Sequence, residues 1–324
     1  MPRLGSSLLL SLLIASTASA VTMDWTPVGD HLGNACEPQF PSRCYGTVGY
    51  AYSIATYEVT NAQYTDFLNA KAASDPLALY NGNMGVVASE AYGIVRSGVS
   101  GSYTYTAVAG RENKPVTLVT FHDAARFANW MNNGQGNGDT ETGAYLLDGT
   151  VTPSNWTTVT RNPDAAIFLP SHDEWYKAAY YDSSIGSYFD YPAGSDTPVT
   201  CAFPATTGAN TANCYDGNDT GLADVGSYTG SPSPYGTYDQ GGNVAEWTDT
   251  FNNPMSTPGS RFVDGGDKTS MVEFLSSELS DSSNFGVNAT TRIGFRLAMI
   301  PEPSTGLLVI AGLVGLGTRR RVSL

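Results

Sequence analysis

The stretch Tyr235-Gly-Thr-Tyr-Asp239-Gln-Gly-Gly242-Asn243-Val244-Ala-Glu246-Trp247 concentrates the residues most able to do chemistry. Asp239 and Glu246 flank a Gly pair, so the segment can fold back around one cation. Two carboxylates plus the carbonyls of the turn make the hard-oxygen set that Ca²⁺ prefers. The same residues also suit a polar turn whose acids cap a following element. Histidine offers less. His31, His122 and His172 are the only three, and none is near another in sequence. A His-based metal centre is not expected, and each reads as a surface or capping residue. No G-x-S-x-G elbow supports a serine nucleophile, and no Walker or dinucleotide glycine pattern follows a strand. The four cysteines fall in two local groups, Cys36 with Cys44 and Cys201 with Cys214. Four cysteines allow three pairings, which sequence does not decide. Two local bridges in an oxidising compartment are the expected arrangement.

Three segments carry helix-start chemistry. Thr60-Asn61-Ala62-Gln63 is a capping box before Tyr64, Phe67 and Leu68, which predicts a helix to about Ala73. Thr120 with Asp123 opens a second, with Ala124, Phe127, Trp130 and Met131 at helical spacing before the Asn132-Asn133-Gly134 breaker. Ser171-His172-Asp173-Glu174 opens a third, leading into Trp175, Ala178 and Ala179. Their aromatic stripes read as core faces. Elsewhere short strands lie between Gly, Ser, Asn and Pro clusters. Ser102 to Val108 alternates with Tyr103 and Tyr105 on one face, and Arg292 to Met299 reads as one closing strand. No fixed-period repeat and no low-complexity linker divides residues 50–300. One irregular α+β domain is the economical architecture.

Composition bounds the function. Only 14% of the 324 residues are charged, and 16 Lys+Arg against 30 Asp+Glu give a net charge of −14. A nucleic-acid footprint needs clustered cations, so it is excluded for the bulk of the chain. The 35 Gly and 19 Tyr favour a loop-rich, strand-containing fold held by aromatic packing.

Both ends read as address labels. Arg3, the apolar run Leu8 to Ile14 and Ala18-Ser19-Ala20 form the three regions of a secretory signal, residues 1–20. Pro301-Glu302-Pro303 is followed by the apolar residues 304–317, Thr318 and Arg319-Arg320-Arg321. That run spans only about 21 Å as a helix, short of the roughly 30 Å hydrocarbon core, and the Arg cluster fits a cytoplasmic stop. The three-part pattern resembles the PEP-CTERM sorting signal of Gram-negative bacteria. The resemblance implies transient inner-membrane anchoring by residues 304–318, cleavage by an exosortase, and delivery to the cell surface or extracellular polymer. Removing Arg3 and the three terminal arginines, against the single acid Glu302, leaves residues 21–300 more acidic still.

Four motifs occur in order: Glu58-Val-Thr-Asn61-Ala-Gln-Tyr64, Phe168-Leu-Pro170-Ser-His-Asp-Glu174-Trp175, the Asp239–Trp247 run, and Gly294-Phe295-Arg296-Leu297. Together they resemble the formylglycine-generating enzyme/sulfatase-modifying factor family, whose fold is C-type-lectin-like. The likeness covers roughly residues 50–300, with 21–49 as an N-terminal extension and first strands and 301–324 as the sorting signal. The resemblance implies one calcium held by the Asp239 side chain, the Gly242 and Val244 carbonyls and Glu246. It implies a second near Asn213, the Cys214 carbonyl, Asp219 and the Gly221 carbonyl, where Asp216 competes for the acid role. It also implies a copper-binding cysteine pair just before the Gly294-Phe295-Arg296 strand. Here Arg261 to Ile293 contains no Cys, and Gly265-Gly266-Asp267 stands where the family carries Gly-Gly-Ser-Trp. Serine cannot replace the thiolate that Cu(I) requires, so copper is not expected. The His-rich iron site of the ergothioneine-pathway relatives is absent too.

The expectation is therefore a calcium-stabilised, exported surface or matrix protein without the family's oxidase chemistry. Its partners would be the secretion machinery, an exosortase, and a glycan, exopolysaccharide or surface-protein ligand met by loops around Gly98–Gly110 and Met271–Thr291. The rival is a periplasmic or extracellular enzyme related to the formylglycine-generating oxidase, acting on a protein or small thiol.

Overall fold

The computed structural model describes residues 20–29, 44–204, 208–217, 221–252, 259–279 and 288–301. The leader before Ala20, His31, Cys36, Asp219 and the tail from Glu302, including Pro303 and Arg319–Arg321, lie outside the described residues. The elements in order are β1 (Trp25–Val28), β2 (Tyr52–Ala55), α1 (Asn61–Lys71), β3 (Ile94–Ser97), β4 (Thr104–Ala107), α2 (Phe121–Asn132), β5 (Ile167–Phe168) and α3 (His172–Tyr180). Then come the short β6 (Tyr181–Asp182), β7 (Ser187–Tyr188), β8 (Thr200–Cys201) and β9 (Thr211–Ala212), and finally β10 (Ala245–Phe251), β11 (Arg261–Asp264), β12 (Ile293–Gly294) and β13 (Ala298–Met299). This is the irregular α+β, C-type-lectin-like arrangement the sequence suggested, with three helices and short, mostly antiparallel strands.

All three helices start where the capping chemistry places them. At each N-cap the hydroxyl of Thr60, Thr120 or Ser171 accepts from the backbone three residues on, and the side chain of Gln63, Asp123 or Glu174 accepts from the N-cap N–H. Two orphan donors are satisfied at every start, which suits helices of no more than 12 residues. α1 ends at Lys71, short of Ala73, with the Ala72 N–H closing on the Leu68 carbonyl.

The aromatic stripes are core. Phe67, Phe127, Trp130 and Phe295 meet at centroid distances of 5.3–5.4 Å in tilted and edge-on pairs, geometry that adds to their area burial. The four-stranded sheet runs β1-β2-β13-β5, wholly antiparallel, and a second sheet runs β11-β10-β12. In the second sheet β12 lies parallel to β10, and the small β8–β9 pair is parallel as well.

Two expectations are corrected and a third is refined. The closing strand is not continuous: β12 joins one sheet and β13 the other, and Phe295-Arg296-Leu297 bridges them. The bridge is pinned by Val59 and Ala55 N–H groups donating to the Phe295 and Leu297 carbonyls. It is broken because Arg296 must turn into the interior. Second, His122 and His172 open helices but are buried, each 2% exposed. Burial, aided by Arg126 and Arg261, pushes His122 down to about 4, so it sits neutral in the core. His172 pairs its Nδ1 with Asp264 at 2.8 Å and stacks on Phe262. Burial lowers its pKa, but Asp264 outweighs that and raises it overall. Third, the Gly98–Gly110 segment is not all loop: Thr104–Ala107 is a strand, as its alternation suggested, and the tip around residues 98–102 is exposed. β3 and β4 form a hairpin zipped to α1, with Tyr105 exchanging both backbone bonds with the Asn69 amide at 2.9 Å. The Tyr105 hydroxyl donates to the Ala72 carbonyl, and the side chain is buried.

Candidate functional site

The turn from Asp239 to Asn243 enters β10 through three left-handed residues, Asp239 (φ 60°), Gly242 (φ 90°) and Asn243 (φ 59°). Asp and Asn tolerate this region better than most side chains. At Gly242 a Cβ would collide with the Asn213 carbonyl, so only glycine fits. The turn thereby delivers Glu246 into the interior from β10, while the neighbouring β12, paired at Glu246↔Gly294, leads two residues on to Arg296.

Arg296 is fully buried and spends its guanidinium completely. Its Nε and Nη2 grip Glu246 Oε2 and Oε1, both at 2.6 Å. Nη1 donates to the Ala55 carbonyl at 3.0 Å and Nη2 to the Tyr238 carbonyl at 2.9 Å. Trp175 Nε1 adds a 2.8 Å bond to Glu246 Oε2. This fork-on-fork pair ties four separate stretches of chain together.

Two more carboxylates face the same cation. Asp239 accepts the Gly226 N–H at 2.5 Å, and burial pushes its pKa up to about 6 against the lowering effects of that bond and Arg296. Glu58 is 1% exposed. Its Oε1 accepts from Asn243 Nδ2 at 2.9 Å, while its Oε2 has no partner. Burial first, then the charge of Asp239, raises Glu58 well above the usual carboxylate range. One guanidinium thus serves three acids.

The residues fit calcium in donor chemistry. A carboxylate offers about four lone-pair directions, and Arg296 and Trp175 use three on Glu246, leaving one on Oε1. Glu246 thus keeps at most one lone-pair direction for a further partner, and the Arg296 guanidinium already lies against its carboxylate. A cation there would also hold Asp239 ionised against its burial. Among the described residues no three His, Cys, Asp or Glu side chains converge to hold a metal by themselves.

At the second position the structure brings together two of the four residues. Asn213 Nδ2 lies 3.1 Å from the Gly221 carbonyl and 3.1 Å from Asn243 Oδ1. Asn243 then reaches Glu58, so the two positions share one hydrogen-bond chain. Cys214 and Cys201 form the expected local disulfide, which engages the sulfur and not the Cys214 carbonyl, while Asp219 falls outside the described residues. Cys44 is disulfide-bonded too, to a partner outside them.

After β11 the Gly265-Gly266 turn leads into a compact loop. A Cβ on Gly265 (φ 92°) would meet the Gln240 carbonyl at 2.8 Å and the Trp175 ring at 3.0 Å. Asp267 Oδ1 then accepts from the Thr269 N–H and hydroxyl, both at 2.6 Å, and Ser270 Oγ accepts the Asp267 N–H. Lys268 is buried and pairs with Glu90 at 3.4 Å. Part of the Met271–Thr291 segment, residues 280–287, is outside the described residues.

Arg296, Glu58, Asn243 and Trp175 escaped assignment from sequence except as motif letters. Their signal was available: a charge embedded in an apolar motif, as in Gly-Phe-Arg-Leu, must find a buried counter-charge.

This geometry defines a class: a C-type-lectin-like domain whose last strands are locked by a buried Arg–Glu fork. The family model described as sulfatase-modifying factor enzyme 1-like domain matches residues 18–300, and the chain belongs to that family. Among solved structures it is similar to Treponema denticola variable protein 1, at 17% identity and a TM-score of 0.56, over 88% of this chain and 98% of that one. The crystal structure of CarF is similar at 22% identity and a TM-score of 0.58, over 87% of this chain and 99% of that one. At these identities the likenesses speak for the fold. No curated protein matches the chain.

Proposed function

We propose that this chain is a non-catalytic, calcium-stabilised binding or matrix-associated member of its family, exported and sorted through its PEP-CTERM-like tail. The carrying observation concerns thiols. No cysteine stands between Arg261 and Ile293, and among the described residues every cysteine is in a disulfide. A dithiol copper site needs free thiolates, and the loop that replaces it is a network of Asp, Thr, Ser and Lys. Calcium belongs to the proposal as a structural ion on Asp239, Gly242, Val244 and Glu246, with Asn213, Cys214, Asp219 and Gly221 as a second set. The ligand would be a glycan, exopolysaccharide or surface protein, and an exosortase the processing partner.

The test is direct. Purified protein is incubated with copper, oxygen and a cysteine-containing sulfatase-type peptide, and the peptide mass is followed. The expected result is an unchanged cysteine. Conversion to formylglycine would overturn the reading in favour of an enzyme. Mass spectrometry of surface-located protein should find Arg319–Leu324 removed, and finding them retained would refute the sorting proposal.

A further inference from the structure

A cavity of about 360 Å³ opens beside the start of β2 and the end of β13, lined by Tyr50, Arg161, Pro163, Ala165, Phe168 and Ile300. Its volume is at the lower end of small-ligand sites. Tyr50 is 44% exposed, so much of its ring is open to a ligand. Its hydroxyl donates to Glu174 Oε1 at 2.5 Å, and Tyr52 packs edge-on against it at 6.1 Å, which fixes the ring in place. Ala165 and Phe168 are buried, while Pro163 and Ile300 are exposed.

The second observation is Arg161. Its Nη1 donates to both oxygens of Glu174 at 3.0 and 3.1 Å, and its Nε lies 3.4 Å from Asp249. The guanidinium lies over the Phe168 ring at 4.0 Å. Three groups thus hold the head. Nη2 takes part in no hydrogen bond among the described residues, yet the side chain keeps 22% of its surface exposed. A donor already fixed in place costs a ligand little further ordering. Charge decides the kind of acceptor. Glu174 and Asp249 already share this one guanidinium, so an incoming carboxylate or phosphate would meet surplus negative charge. A neutral carbonyl oxygen meets no such repulsion.

These features suit a neutral ligand with a flat apolar face for Tyr50, one strong acceptor for Arg161 and a small apolar group for Ala165, Phe168 and Ile300. A sugar ring bearing an acetamido group has all three: the C–H face of the ring, the amide carbonyl and the methyl. We propose that this cavity binds a neutral acetamido sugar, with its ring on Tyr50 and its amide carbonyl accepting from Arg161 Nη2. The inference rests on the binding-module reading and gives it a ligand class and a place. It is read by binding alone, so its failure leaves the cysteine test untouched.

The probes are N,N′-diacetylchitobiose, cellobiose, which lacks the acetamido groups, and digalacturonate, which carries carboxylates. Each is titrated into the full chain by calorimetry with calcium present. Saturable binding of diacetylchitobiose is expected, about fivefold tighter than cellobiose, the worth of one neutral hydrogen bond, with no binding of digalacturonate. Tyr50→Ala, at an exposed position, should weaken binding about tenfold, as loss of an aromatic anchor does. Arg161→Lys keeps the charge beside Glu174 but loses the fork, and should weaken binding about fivefold. Thermal melting confirms that the variants are folded, and Tyr50→Ala stands as the test should Arg161→Lys unfold. Hydrogen–deuterium exchange locates the sugar, with new protection expected from Tyr50 to Tyr52 and from Arg161 to Phe168. Protection there before any sugar is added, rising with protein concentration or shared with residues 302–324, would give the cavity to a second copy or to the chain's own tail. Either of those results, equal affinity for cellobiose, preferred binding of digalacturonate, no binding of diacetylchitobiose, or unchanged affinity in folded Tyr50→Ala would overturn the proposal.

Discussion

Arg296→Met removes a side chain that is 0% exposed while roughly preserving its volume. Two charge-assisted bonds to Glu246 disappear, and the carbonyls of Ala55 and Tyr238 lose donors at 3.0 and 2.9 Å. Breaking one side of a buried ion pair costs about 3–5 kcal/mol. Each carbonyl left dry adds about 1–3 kcal/mol. The sum, about 5–11 kcal/mol, is comparable with the whole stability of a domain, about 5–15 kcal/mol. Arg296→Met should therefore leave little native protein at neutral pH. Arg296→Lys keeps the charge but not the fork, and should fall between the two. The double variant Arg296→Met with Glu246→Gln should recover part of the loss, because the stranded charge is gone. Urea titrations followed by tryptophan fluorescence read all four proteins, and Trp175 and Trp247 are buried reporters beside the pair. An Arg296→Met protein within about 1 kcal/mol of the parent would refute the claim that this fork locks the fold.

Three further outcomes follow from the geometry. Replacing Cys201 and Cys214 by Ser opens a loop with a sequence separation of 13, and urea unfolding should show a loss of about 3 kcal/mol on the chain-entropy model. Calcium should raise the melting temperature and EDTA reverse it. The effect should strengthen from pH 5 to 7 as Asp239, held at about 6, loses its proton, and Asp239→Ala should abolish it. Asp123 and Asp249 are also held at about 6 by burial. The folded chain keeps these protons where the unfolded chain has lost them, so their ionisation subtracts stability as pH rises from about 4 to about 6. Denaturation midpoints of Asp249→Asn against the parent across that window should show a weaker decline for the variant.

Local chemistry was legible and long-range pairing was not. The three capping boxes announced the helix starts because donor and acceptor stand three residues apart. The aromatic faces of α1 and α2 were legible for the same reason, through helical spacing. Arg292 to Met299 misled because its alternation suits one strand, whereas the break is imposed by Glu246, 50 residues earlier. His172 was misjudged as a cap because its partner, Asp264, is 92 residues away. In the site, Asp239 and Glu246 were visible as a spaced pair. Glu58 was not, since its place beside them depends on the Asn243 amide reaching it across 185 residues.

The position of β13 has a consequence for how the domain can be assembled. It belongs to no single local unit: residues 298–299 slot between β2, at residues 52–55, and β5, at residues 167–168. Until almost the entire domain is available, β2 and β5 each carry an unpaired edge, and such edges invite pairing with other chains. Sheet closure across so many residues is slow. A truncation before Ile293 would therefore yield a sticky, half-built sheet and not a smaller stable domain. The growing chain keeps those edges open until Ala298 and Met299 have been made.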